Sequence, residues 1–187
     1  MNNLIEFLHS IHPLSPQLRQ HLLAILKEHE LAKKSFFLKK GQICGHIGFV
    51  EKGLLRCYYE HHDKEVCSWF MKEGDVIISV ESFFKQLRSY ENIQALEDCI
   101  IHSISYDELQ YVYQYFPEFN FIGRVLTEQY YTQSEQRLYA MRMQRAAGRY
   151  DYLIDHYPEY IQRVPSKYIA SYLGVTEETL SRNRGRK

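Results

Sequence analysis

The stretch over residues 31–104 constrains the fold most, because short β-rich runs alternate with turn signals along its whole length. Punctuation at intervals of about 8 to 12 residues predicts an antiparallel barrel or a double-sheet roll and disfavours a parallel sheet. One of the runs, residues 54–59, has no clean polar face and is expected to be covered on both sides. The expected strands are residues 36–38, 47–50, 54–59, 66–71, 76–80, 93–96 and 100–104.

Helical patterns lie on both sides of this stretch. Apolar residues at helical spacing over residues 4–27 predict helices, with Ser15 as an N-cap and Pro16 at the first helical position. After residue 106 the pattern is helical again, and residues 118–147, without an internal Pro, predict a helix of roughly 45 Å, with a break near residues 139–143 as the alternative. Its apolar residues fit either a helix that covers the sheet or a helix that pairs with a second copy.

Composition and charge limit the class of protein. The 45% hydrophobic and 25% charged residues are ordinary for a globular protein, and 23 Lys and Arg balance 23 Asp and Glu. Nucleic-acid binding must therefore rest on local charge. No apolar run approaches the roughly 20 residues of a membrane span, and an early Glu6 without a basic n-region disfavours a signal peptide. We expect a cytoplasmic protein with no membrane partner.

The cysteines and histidines were considered as metal ligands. No Cys-x-x-Cys pair is present, so the cysteines are expected to be free thiols buried in strands, and no metal or other cofactor is assigned. The alternative function is a cupin-like metal-binding or small-ligand-binding roll that does not bind DNA. It would use His46, His61 and His62, but the pair His61-His62 lies at a predicted hairpin tip. The four cysteines are Cys44, Cys57, Cys67 and Cys99.

The strongest local motif spans residues 164–182, which predict a helix, a tight turn and a second helix. Ser166 is placed to cap the first helix, and Ala170 is small where two helices must approach closely. Gly174 stands where the chain must leave a helix with positive φ, and Thr176 is placed to cap the second helix. This spacing is typical of a helix-turn-helix, whose second helix enters the major groove of DNA.

Local charge supports DNA binding by this motif. From Ser181 onwards the sequence has four basic residues, the last two being Arg186 and Lys187, and no acidic one. Lys167 and Ser181 suit phosphate contacts, and Arg182 suits a guanine edge. A plain helical hairpin with a basic tail is the alternative interpretation. The predicted DNA-binding residues are Ser166, Lys167, Thr176, Glu177, Glu178, Thr179, Ser181, Arg182 and Arg184.

The order of β-roll, long helix and helix-turn-helix resembles the bacterial Crp/Fnr superfamily of transcription regulators over nearly the whole chain. In the roll the similar motifs are Lys52-Gly53-Leu54-Leu55-Arg56, Glu65-Val66, Trp69-Phe70, Glu73-Gly74-Asp75 and Ala95-Leu96-Glu97-Asp98. Towards the C-terminus they are Arg149-Tyr150, Tyr157-Pro158, Val164-Pro165, Tyr168-Ile169-Ala170-Ser171-Tyr172-Leu173-Gly174 and Leu180-Ser181-Arg182.

The resemblance implies an α+β fold in three segments. Residues 1–117 would form an effector-sensing, cyclic-nucleotide-binding-like antiparallel β-roll (a double-stranded jelly roll) with flanking helices. Residues 118–147 would form the long connecting and dimerisation helix, and residues 148–187 the DNA-binding domain. It also implies a homodimer on a palindromic promoter site in double-stranded DNA, with RNA polymerase as a further partner. No enzyme activity is expected, because phosphate-loop, nucleophile-elbow and paired-carboxylate motifs are missing from the sequence.

Two departures from the family's pattern bear on ligand and operator. Members that bind cyclic nucleotides carry a Gly-Glu pair and a later Arg-Ser or Arg-Thr pair, whereas here Val80 precedes Glu81 and Arg88 lies one position early. The roll is therefore expected to sense an unidentified small molecule or to act constitutively, with cyclic AMP or GMP disfavoured. Glu177 and Glu178 in the reading helix predict an operator unlike the common family sites. The effector-binding candidates are Glu81, Ser82, Arg88 and Ser89.

Overall fold

The computed structural model describes residues 2–62 and 64–185 and has an α+β fold. The predicted antiparallel roll is confirmed, because eight strands form two four-stranded sheets. Helices come before and after the strands, and one short helix interrupts them. In chain order the elements are α1 (Asn2–Ile11), α2 (Pro16–Ile25), β1 (Lys27–Leu31), β2 (Phe36–Leu38), β3 (His46–Lys52), β4 (Leu55–His61), β5 (Lys64–Met71), β6 (Val76–Ile77), α3 (Val80–Lys85), β7 (Glu91–Ala95), β8 (Cys99–Ser105), α4 (Tyr106–Tyr115), α5 (Pro117–Met143), α6 (Ala146–His156), α7 (Pro158–Arg163), α8 (Ser166–Leu173) and α9 (Glu177–Arg184).

The two sheets have different strand orders, β1-β8-β3-β6 and β2-β7-β4-β5. In the first, β3 and β8 pair antiparallel from His46 opposite Ser105 to Lys52 opposite Ile100, with a register shift near Val50. In the second, β4 lies between β7 and β5, and β5 is an edge strand. The predicted burial of β4 on both faces is confirmed, because its first four residues are all buried.

A buried charge within the roll is hydrogen-bonded to a side-chain amide of the neighbouring strand. Arg56 is only 1% exposed, and its Nε and Nη2 atoms donate to Gln94 Oε1 at 3.1 and 2.7 Å. A buried guanidinium needs such acceptors, because an unpaired polar group in the interior costs about 1–3 kcal/mol. The pair joins neighbouring strands β4 and β7 inside the sheet.

Two expectations from the sequence were wrong at the ends of the roll. Strand β1, residues 27–31, was not predicted: it begins at the last residue of the helical segment expected over residues 4–27 and continues through helix-like sequence, and its backbone pairs along its whole length with β8. His29 therefore lies in a strand. The expected strand over residues 76–80 stops at Ile77, and Val80 begins α3. Strand pairing across the sheet overrides local helical spacing in the first case.

Capping residues define several helix starts as the sequence predicts. The Ser15 hydroxyl accepts from the Leu18 N–H at 3.1 Å, and Pro16 is the first helical residue of α2. At α4, Ser105 and Glu108 form a reciprocal capping box. The long helix α5 ends at Met143, within the alternative break at residues 139–143 and four residues before the end of the uninterrupted helix.

Gly53 occupies a position that no other residue fits. Its φ is +104°, and a Cβ there would lie 2.6 Å from Cys99 Sγ and 2.8 Å from the Asp98 carbonyl oxygen. Both the backbone conformation and the close approach of β8 therefore require glycine between β3 and β4.

The chain forms two compact units. The first contains the residues up to Cys57 and Phe70–Glu128, and the second contains Tyr58–Trp69 and the residues from Gln129 on. The outer half of the β4–β5 hairpin thus belongs to the second unit. The three-segment division expected from the sequence stays a prediction. Within residues 2–62 and 64–185, none of the helices is long and apolar enough to cross a membrane.

Candidate functional site

The C-terminal helices form the predicted helix-turn-helix. Helix α8 ends at Gly174, whose φ of +63° is the expected left-handed C-cap, and the Val175 N–H donates to the Ala170 carbonyl at 2.9 Å. Thr176 is the N-cap of α9, because its hydroxyl accepts from the Thr179 N–H at 3.2 Å. These caps confine the turn to residues 174–176 and fix where α9 begins.

An apolar face holds the two helices on the rest of their unit. Ala170 is 1% exposed, as expected for a small residue where helices approach closely. The buried face leaves the opposite side of α8 and α9 to solvent. The buried side chains of the two helices are Ile169, Ala170, Leu173 and Leu180.

Two of the predicted DNA-binding residues bond to each other. The prediction that Ser166 caps α8 was wrong: Pro165 is the N-cap residue and Ser166 the first helical residue. Its hydroxyl instead accepts from Arg184 Nη1 at 3.0 Å, and Arg184 is half-buried. The pair ties the end of α9 to the start of α8.

The other predicted DNA-binding residues lie on the exposed side. Lys167 places its ammonium 4.7 Å from the centre of the Tyr168 ring. Arg182 Nη2 donates to the Thr179 hydroxyl at 3.3 Å, and Thr179 is half-buried. Arg186 and Lys187 lie outside the described residues. The fully exposed members of the set are Lys167, Thr176, Glu177, Glu178, Ser181 and Arg182.

Charge is divided along α9. Glu177 and Glu178 occupy its first turn, where carboxylates interact favourably with the positive end of the helix dipole. Arg182 and Arg184 lie in its last turn. Phosphate is therefore repelled at the start of the helix and attracted towards its end, while the carboxylates can accept from base amino groups.

Two residues that the sequence analysis left unassigned, Arg137 on α5 and Ser171 on α8, contact the backbone of β5 within the second unit. No motif marks them, because each interaction depends on a strand more than 65 positions away. The only sequence signal was Ser171 itself, a polar residue within a predicted amphipathic helix.

The four effector-binding candidates differ in burial and in hydrogen-bond partners. Glu81 is paired with Lys85 one turn later on α3, at 2.8 Å, and that hydrogen bond lowers the pKa of the Glu81 carboxyl. Arg88 is exposed. The buried Ser82 hydroxyl accepts from the Cys44 N–H and donates to the Leu87 carbonyl, so it joins α3 to the loop before β3 and to the residue pair after α3.

Ser89, at the position where the family's pattern places a phosphate-binding Arg, belongs to a buried network. Its hydroxyl accepts from the Glu91 N–H at 3.1 Å and lies 3.2 Å from the Ser79 hydroxyl. The Glu91 carboxylate accepts from Ser79 and, at 2.8 Å, from the Cys57 thiol. An anionic ligand placed here would meet a carboxylate instead of a guanidinium.

The roll contains a cavity of about 400 Å³ whose lining includes none of the four effector-binding candidates. Burial is the main cause that lowers the pKa of His46, and the neighbouring His29 and Lys27 act in the same direction. The lining residues are His29, Glu30, Leu31, Phe36, Phe37, Leu38, Gln42, Ile43, Cys44, Gly45, His46, Ile101 and Ser103.

The metal-site alternative requires its histidines to lie close together inside the roll. His61 and His62 are exposed at the tip of the β4–β5 hairpin, as expected, next to Asp63, which lies outside the described residues. Among the side chains that the structure describes, no group of three or more His, Cys, Asp or Glu could hold a metal ion. All four cysteines are free and buried; Cys44 lies in a loop and the other three in strands.

Comparison with known proteins identifies the fold. Residues 28–115 match the family model of the cyclic nucleotide-binding domain. No curated protein matches the chain. Among solved structures, the chain is similar to FixK2 from Bradyrhizobium japonicum, with a TM-score of 0.71 and 17% identity over 87% of this chain and 84% of that one.

Two further structures support the same fold. CLP from Xanthomonas campestris, a global regulator responsive to c-di-GMP, gives a TM-score of 0.71 and 16% identity over 89% of this chain and 88% of that one. A Eubacterium rectale protein assigned to the Crp/Fnr family of transcriptional regulators gives a TM-score of 0.69 and 15% identity over 92% of this chain and 83% of that one. The resemblance to the Crp/Fnr regulators is confirmed at the level of fold.

Proposed function

We propose that the chain is a homodimeric, sequence-specific DNA-binding transcription regulator of the Crp/Fnr type, acting in the cytoplasm without enzyme activity. The observation that carries the proposal is the capped turn between α8 and α9, with one apolar face buried and the opposite face polar and exposed. That is the arrangement with which a helix-turn-helix enters the major groove.

The exposed side chains divide between two kinds of DNA contact. Lys167 and Ser181 are suited to phosphates, which fix the position of the protein on the duplex. Arg182 can donate two hydrogen bonds to guanine, and Glu177 and Glu178 can accept from cytosine N4. The preferred half-site should therefore contain G·C pairs at the positions that α9 reads.

Homodimerisation is proposed from the exposed apolar face of α5. Tyr131 and Leu138 are seven residues apart and Tyr139 and Met143 four apart, so they share one side of the helix, and they are 42–69% exposed. A second copy of α5 would cover this face and place two reading helices about 34 Å apart on a palindromic promoter site. RNA polymerase is the further partner such a regulator would need.

The roll is proposed to sense a small molecule other than a cyclic nucleotide, or to act constitutively. Support comes from the Glu91 carboxylate beside Ser89, from the internal hydrogen bonds of Ser82 and from the exposure of Arg88. A cyclic phosphate would have to displace these bonds and approach a carboxylate without a buried guanidinium partner.

The test is selection from a random-sequence duplex pool at several salt concentrations, with and without cyclic AMP. Enrichment of a palindrome with a steep salt dependence supports a dimeric DNA reader. The control variant is Lys33→Ala, which removes an exposed lysine of the first unit. A full-length, folded chain that enriches no sequence and shows no salt-dependent binding would overturn the proposal.

A further inference from the structure

The edge of β5 contacts the helix-turn-helix directly. An edge strand presents backbone N–H and C=O groups that no neighbouring strand pairs. Here the Cys67 N–H donates to the Ser171 hydroxyl of α8 at 2.9 Å, and that hydroxyl donates to the Glu65 carbonyl at 2.9 Å. One side chain of α8 therefore bonds to two residues on the same edge of β5.

A second side chain joins the strand to the helix from α5. Arg137 Nη2 donates to the Tyr172 carbonyl at 3.1 Å and to the Cys67 carbonyl at 3.4 Å. Its guanidinium carbon lies 3.6 Å from the centre of the Tyr172 ring. A planar guanidinium can stack and donate at the same time, which a lysine cannot do.

We propose that Ser171 and Arg137 are positioning residues, which fix α8 against the edge of β5 and thereby set the orientation of the reading helix. The inference rests on the proposed function, because it assigns the control of that same DNA-binding surface. Neither residue contacts DNA in the proposal; both act through α8.

The connectivity explains how such a contact reaches the reading helix. Ser171 lies three residues before Gly174, and the turn that follows is held by caps at both ends. The Arg184 to Ser166 bond joins the far ends of α8 and α9. A displacement of α8 is therefore carried into α9 instead of being absorbed by the turn.

The same hairpin continues into the roll. Strands β4 and β5 have their outer residues, Tyr58–Trp69, in the second unit, while Cys57 and Phe70 belong to the first.

The experiment compares Ser171→Ala and Arg137→Lys with Ser10→Ala and Arg145→Lys. The first control removes an exposed hydroxyl of α1, and the second replaces an exposed arginine that precedes α6 and preserves its charge. Amide hydrogen exchange of Cys67, followed by NMR, reads the contact without DNA. In Ser171→Ala its protection should fall by about tenfold relative to the amides of β8, as expected for one hydrogen bond.

DNA affinity is the second measurement. In Ser171→Ala and Arg137→Lys we expect affinity for the selected palindrome to fall by about tenfold with an unchanged salt slope, since no phosphate contact is removed. Unchanged Cys67 exchange, or altered exchange with unchanged affinity, overturns the inference. If the wild-type chain binds no DNA, the proposed function fails, and the exchange rates alone then support or overturn the contact.

Discussion

Arg184 Nη1 donates to the Ser166 hydroxyl at 3.0 Å and joins the last turn of α9 to the first turn of α8. Arg184→Ala should therefore lower the free energy of unfolding by about 1 kcal/mol, the net contribution of one such hydrogen bond. Arg182→Ala, which removes an exposed side chain with a longer hydrogen bond of 3.3 Å to Thr179, is the control and should lower the free energy of unfolding by less than half as much. Urea denaturation measures both. Equal free energies of unfolding for the two variants would show that the Arg184 to Ser166 hydrogen bond does not stabilise the fold.

Two exposed side chains of the helix-turn-helix should have different effects on DNA binding. Lys167→Ala should weaken binding to every duplex and reduce the salt slope by about 1, because it removes one phosphate contact. Arg182→Ala should relax the sequence preference and cost about 1–3 kcal/mol on the best site. Fluorescence anisotropy with selected and scrambled duplexes distinguishes them. If neither variant changes affinity, the assigned face is not the one that binds DNA.

Cyclic AMP should produce no saturable heat on titration into the protein. The Glu91 carboxylate lies in the network around Ser89, and burying a cyclic phosphate beside it would be unfavourable without a paired guanidinium. Arg88→Ala should accordingly leave DNA affinity equal with and without the nucleotide. Saturable binding that Arg88→Ala abolishes would contradict this expectation and assign Arg88 as the phosphate ligand.

If the exposed apolar face of α5 forms the dimer interface, a charge introduced on this face should weaken the dimer. Leu138→Glu should raise the dimer dissociation constant by about a hundredfold, since each protomer loses burial worth about 1.5–3 kcal/mol. Gln133→Glu adds the same charge to α5 about 150° around the helix from the centre of this face and should have no such effect. Sedimentation velocity reports the dissociation of the dimer. Equal dissociation constants for both variants would place the dimer interface elsewhere.

Acid should destabilise the protein through His102. Burial lowers the pKa of this imidazole below its ordinary value of 6.5. The unfolded chain therefore takes up a proton at a pH where the folded chain does not, so the free energy of unfolding falls as the pH drops from about 7 through 6.5 towards the folded pKa. Urea denaturation from about pH 7.5 to 5.5 should give a shallower slope for His102→Gln. If the free energy of unfolding of His102→Gln has the same pH dependence as that of the wild type, His102 does not cause the loss of stability in acid.

The sequence is most informative where local chemistry decides the structure. The caps at Ser15 and Thr176 and the left-handed Gly174 follow from short-range hydrogen bonding and backbone sterics, and all three predictions are confirmed. The runs of the roll were predicted because turn residues interrupt them at regular intervals. Proline at residue 165 displaced the expected cap at Ser166 by one position.

Long-range pairing explains what could not be predicted. Strand β1 forms because the backbone around His29 finds Ile101 as a partner, a contact 72 positions away. The network of Ser89 with Cys57 and the contacts of Arg137 with β5 likewise join distant segments. No spacing rule contains such pairs, so the roles of these side chains became visible only in the fold.

The four buried thiols make the surface of this protein unreactive towards cysteine reagents. Burial raises the pKa of Cys44 and Cys99, which disfavours the thiolate that alkylating agents attack. A single cysteine introduced on the exposed side of α9 would therefore be the one site that a fluorophore or spin label modifies rapidly. The native chain thus needs no removal of its own cysteines before the reading helix is labelled and its movements on DNA are followed spectroscopically.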